Sequence, residues 1–355
     1  MEMLRRYCYL LSLICVCLLP NVFSNRSYNE VHKFPLLMPH VQPKQNETYL
    51  CTGFHLPVKE HQYIVAFEPN ATMHTAHHIL IYGCGSPGYY ERDTPRAIWN
   101  CGEMAGSTAH YVKGPVCRSG NQIIYAWARD APALTLPEGV GFKIGGRSGI
   151  KYLVLQVHYA DTSSFQDGKK TDASGIVLSL LPSKTTKHKV KRRAGVYLLG
   201  TGGMIPAKQT VHMETACRMN EDFTLFPFAF RTHTHKLGKA VTGYVIRDGQ
   251  WMNIGRRDPL KPQMFFPANK GIKIKRGDIL AARCTMYNFR DRTTYVGSTG
   301  NDEMCNFYIM YYVDGDKIPE DTTCFSSGPP LYYWETDRDV APVPEYIDRD
   351  ASSLL

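Results

Sequence analysis

Eight cysteines lie beyond residue 24: Cys51, Cys84, Cys101, Cys117, Cys217, Cys284, Cys305 and Cys324. The other three, Cys8, Cys15 and Cys17, fall in or near an apolar run that follows Arg5 and Arg6, is broken by Pro20 and ends in small residues near Ser24. That is the pattern of a removable secretory signal peptide, residues 1–24. An even number of cysteines behind such a signal reads as four disulfides, with no thiol left for nucleophilic or metal chemistry. The eight fall into two groups of four, from Cys51 to Cys117 and from Cys217 to Cys324, so two domains are expected, each cross-linked within itself. Glycosylation acceptors at Asn25, Asn46 and Asn70 agree with this compartment. The chain is therefore expected in the secretory pathway, in a granule lumen or released. No later stretch has the roughly 20 apolar residues of a spanning helix, so no stable membrane anchor is expected.

Between the cysteines, short segments rich in Val, Ile, Tyr and Phe recur among Gly, Pro and Asn: HHILIYG, QIIYAWA, KYLVLQVHYA, SGIVLSLL, GVYLLG, FAFRTHTH, DILAARCTMYN and NFYIMYYV. Sustained helical periodicity is missing, so the expected class is all-β, built as two antiparallel sandwiches of about 150 residues. Asp248-Gly249, between two such segments, reads as a hairpin turn. The expected division is an N-terminal segment 25–46, a first domain 47–183, a basic linker 184–193, a second domain 194–328 and a loosely ordered tail 329–355. Much of the excess behind the net charge of +9 sits in the linker, KTTKHKVKRR. This run has no interleaved aromatic residue, so nucleic acid is not expected as a partner and the linker reads as a solvated connector.

Residues two apart in a strand share a face. In FRTHTHK this groups Arg231, His233 and His235; in DEMCNFYIMYY it groups Met304, Asn306 and Tyr308; in YLVLQVHYA it groups Gln156 and His158. His233 and His235 can reach one ion, and Met304 offers a third, soft ligand that suits Cu(I) and is poor for zinc. His77 and His78 are adjacent, so they meet at one metal only at a strand end or bend. With His158 they make a three-imidazole set that suits copper or zinc. Ordinary readings exist beside these: a solvent-facing polar strand for the histidines, core packing for Met304, a structural acid beside Arg231. Two clusters, one in each domain, favour metal, with zinc still open on spacing alone. Arg231 on the histidine face, with the Asn306 amide and the Tyr308 hydroxyl, reads as a carboxylate clamp.

These residues, and the segments TAHHILIYGC, YAWARDAP, GVGFKIGG, YLVLQVHYAD, FRTHTHKLGKAVTGYVIRDGQW, GDILAARC and DEMCNFYIMYY, run in order from about Thr48 to Cys324. They resemble the copper type II, ascorbate-dependent monooxygenases, and within them the peptidylglycine-hydroxylating branch. The resemblance implies two jelly-roll-like β-sandwiches, one copper site on each, facing across a solvent-filled cleft. It implies an electron-donating copper on His77, His78 and His158, and an oxygen-binding, catalytic copper on His233, His235 and Met304. Arg231, Asn306 and Tyr308 would hold the carboxylate of a glycine-extended peptide, and Gln156 would lie in the intersite region. The implied disulfides are Cys51 with Cys101, Cys84 with Cys117, Cys217 with Cys324 and Cys284 with Cys305.

Two copper ions, ascorbate as reductant and O2 as co-substrate follow from the same resemblance. So does hydroxylation at the Cα of a C-terminal glycine, the first step of peptide amidation, by a monomer. Many members continue into a lyase domain; these 355 residues do not, so either a separate lyase is expected downstream or the hydroxyglycine breaks down unaided. An additional N-terminal cysteine pair is also missing, and residues before Cys51 are expected to be loose. The rival readings are a dopamine β-monooxygenase-like amine hydroxylase and a non-catalytic secreted copper-binding protein.

Overall fold

The computed structural model describes residues 31–93, 97–102, 110–184 and 190–354. The signal peptide, Asn25 and the middle of the basic linker lie outside them. The first half supplies β1 (His32–Leu37), β2 (Thr48–His55), β3 (His61–Asn70), β4 (His78–Cys84), β5 (Ile98–Asn100), β6 (Gln122–Ala128), β7 (Val140–Gly145), β8 (Tyr152–Tyr159) and β9 (Gly175–Pro182). They pair into two facing antiparallel sheets, β1-β9-β3-β7 and β5-β2-β8-β4-β6. The second half supplies β10 (Arg192–Thr201), β11 (Thr210–Arg218), β12 (Phe226–His233), β13 (Gly238–Arg247), β14 (Gln250–Arg257), β15 (Phe266–Pro267), β16 (Ile279–Tyr287), β17 (Asn306–Asp314) and β18 (Thr323–Ser326). Here the sheets are β10-β17-β12-β15, with β18 beside β10, and β11-β16-β13-β14. Asp248 and Gly249 turn β13 into β14 with φ of 50° and 75°, the left-handed pair that a tight hairpin of this twist requires.

The two sandwiches share backbone. Val140 and Gly141 of β7 pair in parallel with Arg192 and Arg193 of β10, so one sheet runs on into the other. Side chains follow the same division. Tyr197, Leu199, Phe307, Ile309 and Tyr311 point into the core of the second sandwich. Their neighbours Ala194, Val196, Tyr308, Met310 and Ala229 point the other way, into the core of the first, against Tyr125 and Phe265. The sheet β10-β17-β12 is thus apolar on both faces, which explains why its strands read as continuous hydrophobic runs.

The disulfides join Cys51 to Cys101, Cys84 to Cys117, Cys217 to Cys324 and Cys284 to Cys305, two in each sandwich. Asn46 and Asn70 are both exposed. Among the described residues, no helix is long and apolar enough to cross a membrane.

Three sequence expectations need correction. Arg192 and Arg193 belong to β10, not to a solvated linker, because β7 offers them an open edge. Residues ahead of Cys51 are not loose from Val31 onward: β1 pairs along β9, and Leu36, Met38 and Val41 are buried, so backbone pairing and apolar contact do the work of a missing cysteine pair.

The tail is ordered too. Trp334 is fully buried, and helix α1 (Glu345–Ser352) lays Ile347 and Ala351 against the outer face of β13 and β16. The Arg283 guanidinium donates to Glu214 at 2.6 Å and to Asp348 at 2.6 Å, and Glu214 accepts from the Trp334 amide at 2.6 Å. Asp348, an acidic residue of the tail read as loose, is a partner of the buried Arg283. Trp334→Ala is expected to cost about 3–5 kcal/mol of stability, measurable as a shift in chemical denaturation midpoint.

Candidate metal centres

The first cluster forms where β4 begins. His77 occupies the bend ahead of the strand and His78 is its first residue, so adjacent residues turn to one point. His158 of β8 lies directly opposite His78, and the His77 amide donates to its carbonyl at 2.9 Å. One ring nitrogen from each histidine falls within 4.8 Å of the others.

The donor set passes a direct test of fit. The Nδ1 atoms of all three rings are buried and have no hydrogen-bond partner, a costly arrangement unless something accepts their lone pairs. Burial, reinforced by the neighbouring imidazoles, pushes the His77 pKa down to about 4 and that of His78 well below the usual range. Burial also lowers His158. Neutral imidazole is the metal-binding form. His158 is oriented from behind: Glu47 meets its Nε2 at 2.8 Å, and Tyr49 stacks on the ring at 4.1 Å between centroids. That carboxylate–histidine pairing leaves Nδ1 as the free donor.

The second cluster forms at the end of β12. His233 closes the strand, His235 follows two residues on, and the rings are 5.4 Å apart. Gln263 accepts from His233 Nδ1 at 2.6 Å, and the Asp302 carbonyl accepts from His235 Nδ1 at 3.2 Å. Both rings therefore offer Nε2, and that of His235 is buried without a partner. Met304 stands two residues before Asn306, which pairs with His233 across β17 and β12. One buried carboxylate ties the ligand loops together: Glu303 accepts from the amides of His235, Lys236 (3.0 Å), Leu237 (2.8 Å) and Met304 (2.9 Å). The sites thus differ: three Nδ1 donors in one, two Nε2 donors beside a thioether in the other, a set for a soft ion.

Arg231 lies two residues before His233 on the same face of β12 and is 2 % exposed. It donates from Nε to the Gln263 carbonyl at 2.9 Å and from a terminal nitrogen to the Gln263 side chain at 3.2 Å. Its guanidinium sits 5.1 Å from the centre of the Tyr308 ring, and the Tyr308 hydroxyl reaches both Arg231 and Asn306. Among the described residues, no carboxylate lies within ion-pair distance of it.

The two clusters are not held apart by an open, solvent-wide cleft. The rings of His78 and His233 are 5.9 Å apart. The shared sheet brings the halves together, the Tyr49 hydroxyl donates to the Ser298 carbonyl at 2.6 Å, and Arg129 donates to the carbonyls of Leu260 and His235. A cavity of about 260 Å³ remains, lined by Leu80, Tyr82, Ile123 and Leu198 on its apolar side and by Gln156, Arg231, Asn306 and Tyr308 on its polar side. Gln156 lines it from beside the first cluster, 3.5 Å from Cys101 Sγ, while the direct approach between clusters runs through His78 and His233.

Glu47, Tyr49, Gln263 and Glu303 escaped the sequence reading. Glu303 adjoins Met304 and Glu47 precedes a strand, but Gln263 sits in an irregular loop with no periodic signal. The protein is expected to bind two copper equivalents, His158→Ala and His235→Ala one each, and the double variant none, as read by native mass spectrometry.

Comparison with known proteins follows this geometry. Residues 34–166 match the copper type II ascorbate-dependent monooxygenase N-terminal domain, and residues 192–337 match the C-terminal domain of the same family. Peptidyl-glycine alpha-amidating monooxygenase A of Xenopus laevis is 40 % identical over 317 residues, which are 88 % of this chain and 31 % of that protein. The Mus musculus peptidyl-glycine alpha-amidating monooxygenase is 39 % identical over 315 residues, 88 % of this chain and 30 % of the relative. Dopamine beta-hydroxylase of Homo sapiens is 30 % identical over 317 residues, 82 % of this chain and 48 % of the relative. The chain thus spans about a third of the length of its amidating relatives. Two domain matches in the right order, over two histidine clusters of unlike donors, place this chain in the copper type II, ascorbate-dependent monooxygenase family.

Proposed function

We propose that this chain hydroxylates the Cα of the C-terminal glycine in glycine-extended peptides. One atom of O2 enters the C–H bond, and the other leaves as water with two electrons from ascorbate and two protons. The observation that carries this reading is Arg231, a buried guanidinium without a carboxylate partner among the described residues, on the same sheet face as His233. A buried unpaired charge is costly, so a substrate carboxylate is its natural counter-ion. Such a group would take a two-pronged hydrogen bond from the guanidinium, with Tyr308 and Asn306 alongside. Arg231 and His233 are two residue rises apart along the strand, about 6–7 Å. A carboxylate on the first sets the adjacent Cα near the second, so the atom attacked is chosen by proximity.

Copper on these donors supplies the one-electron and dioxygen chemistry that an aliphatic C–H bond demands. The chain supplies position. Gln263 holds both His233 and Arg231, its own amide nitrogen being spent on the carbonyls of Thr234 and Pro259. Leu80 and Ile123 of the first sandwich and Leu198 of the second give the cavity apolar walls. We assign the His77, His78 and His158 site to electron supply and the His233, His235 and Met304 site to oxygen. A lyase acting downstream would take the hydroxyglycine product on to the amide. Four disulfides support an oxidising, secretory location, and the chain is read as a monomer.

An amine substrate without a carboxylate would leave Arg231 uncompensated, which ranks the amine hydroxylase second. The test is mass spectrometry of copper-loaded protein given ascorbate, O2 and a peptide ending in glycine, beside the same peptide ending in alanine and beside dopamine. A gain of one oxygen on the glycine peptide alone is expected. Oxygen on dopamine alone, or copper uptake without ascorbate consumption, would transfer the assignment to the amine hydroxylase or to a copper carrier. Met304→Ile is expected to abolish turnover with the fold retained. Arg231→Gln removes a charged clamp of about 1.5–3 kcal/mol, a rise in KM on the order of 10- to 100-fold.

A further inference from the structure

The clamp accounts for the glycine, and the rows of the sheet show where the rest of a peptide can lie. Across β18, β10, β17 and β12 the register aligns Phe325, Gly200, Asn306 and His233 in one row, and Thr323, Leu198, Tyr308 and Arg231 in the next. Gln263 closes the far side of β12, and Leu80 and Ile123 of the first sandwich stand over the cavity. Along the row towards β10, beyond Asn306 at the cavity's edge, residue 200 has no side chain. A Cβ placed there would meet the Phe325 ring at 3.1 Å and the Asn306 carboxamide oxygen at 3.2 Å, so the ring and the amide come together over Gly200. Phe325 is nonetheless 63 % exposed.

We propose that Phe325, leaning over Gly200, is the wall of an outer peptide subsite that takes an apolar side chain two residues before the terminal glycine. This rests on the reading of Arg231 as the carboxylate clamp. Three strand spacings of about 4.8 Å across the sheet and one two-residue step along it separate Arg231 from Phe325, roughly 16 Å. A charged hydrogen bond of about 2.8 Å, the reach of the guanidinium and an extended chain at about 3.3–3.6 Å per residue carry the residue two before glycine to that distance. The ring then loses its exposed apolar surface to the substrate, and an aromatic partner adds edge or offset stacking.

The experiment uses copper-loaded full-length mature protein and blocked peptides X-Val-Gly with X as Phe, Ala or Lys. Relative kcat/KM is read by mass spectrometry, and Kd by calorimetry without ascorbate. Wild type is expected to favour Phe over Ala by about three- to tenfold in both readouts. Phe325→Ala is expected to bring the ratio near one, and Phe325→Glu to move the preference to Lys. Phe289→Ala, which removes another exposed phenylalanine on a separate loop, is expected to keep the wild-type ratio. Glycine peptides processed with equal efficiency whatever X is, or a Phe preference that survives Phe325→Ala, would overturn the subsite and leave the clamp standing. If no glycine-extended peptide binds or reacts while dopamine does, the clamp falls and the subsite with it.

Discussion

The sheet of β10, β17 and β12 is buried on both faces, and the rest of the molecule is arranged around that fact. One face completes the second sandwich; the other completes the first. Such a sheet has no solvent side to receive polar residues, so its interior rows are apolar throughout. At one end, Arg231, His233, Asn306 and Tyr308 break the pattern. Polar groups there are tolerated where a ligand satisfies them. The site is the polar end of an otherwise dry contact between two domains.

Around that end, each group is held by something unreactive. Glu47 and Tyr49 hold His158, Gln263 holds His233 and Arg231, and Glu303 gathers the loops that carry His235 and Met304. These supports decide which nitrogen each ring presents, and so make two chemically different sites from one type of side chain. Burial pushes the pKa values of His78 and His233 well below the usual range, which favours the neutral, metal-binding form. His78, His158 and His233 stand at or near strand ends, whereas His235 and Met304 stand on loops that Glu303 fixes.

Much of this was legible in the sequence, for stated physical reasons. Strand parity grouped Arg231 with His233 and Met304 with Asn306, because a period of two survives any tertiary setting. His77 and His78 required a bend, and the strand begins at His78. Parity could not show that the two clusters approach each other, since that depends on how β7 pairs with β10 over 50 residues apart. Nor could it find Gln263, which works from a loop with no period. The tail misled because its acids were counted as solvent-seeking, when Asp348 meets Arg283, already paired with Glu214 of β11, and Trp334 fills the space beside them.

The seam between β7 and β10 also has a mechanical meaning. It joins the sandwiches through two residues at the Arg192 end of β10, while Gly200 and its row lie seven or eight residues away, roughly 25 Å along the strand. The far end is not free, because the same sheet packs Ala194, Val196 and Met310 into the first sandwich and Tyr49 and Arg129 bond to Ser298 and His235, so the spacing of the two histidine clusters is splinted at both ends of the strand.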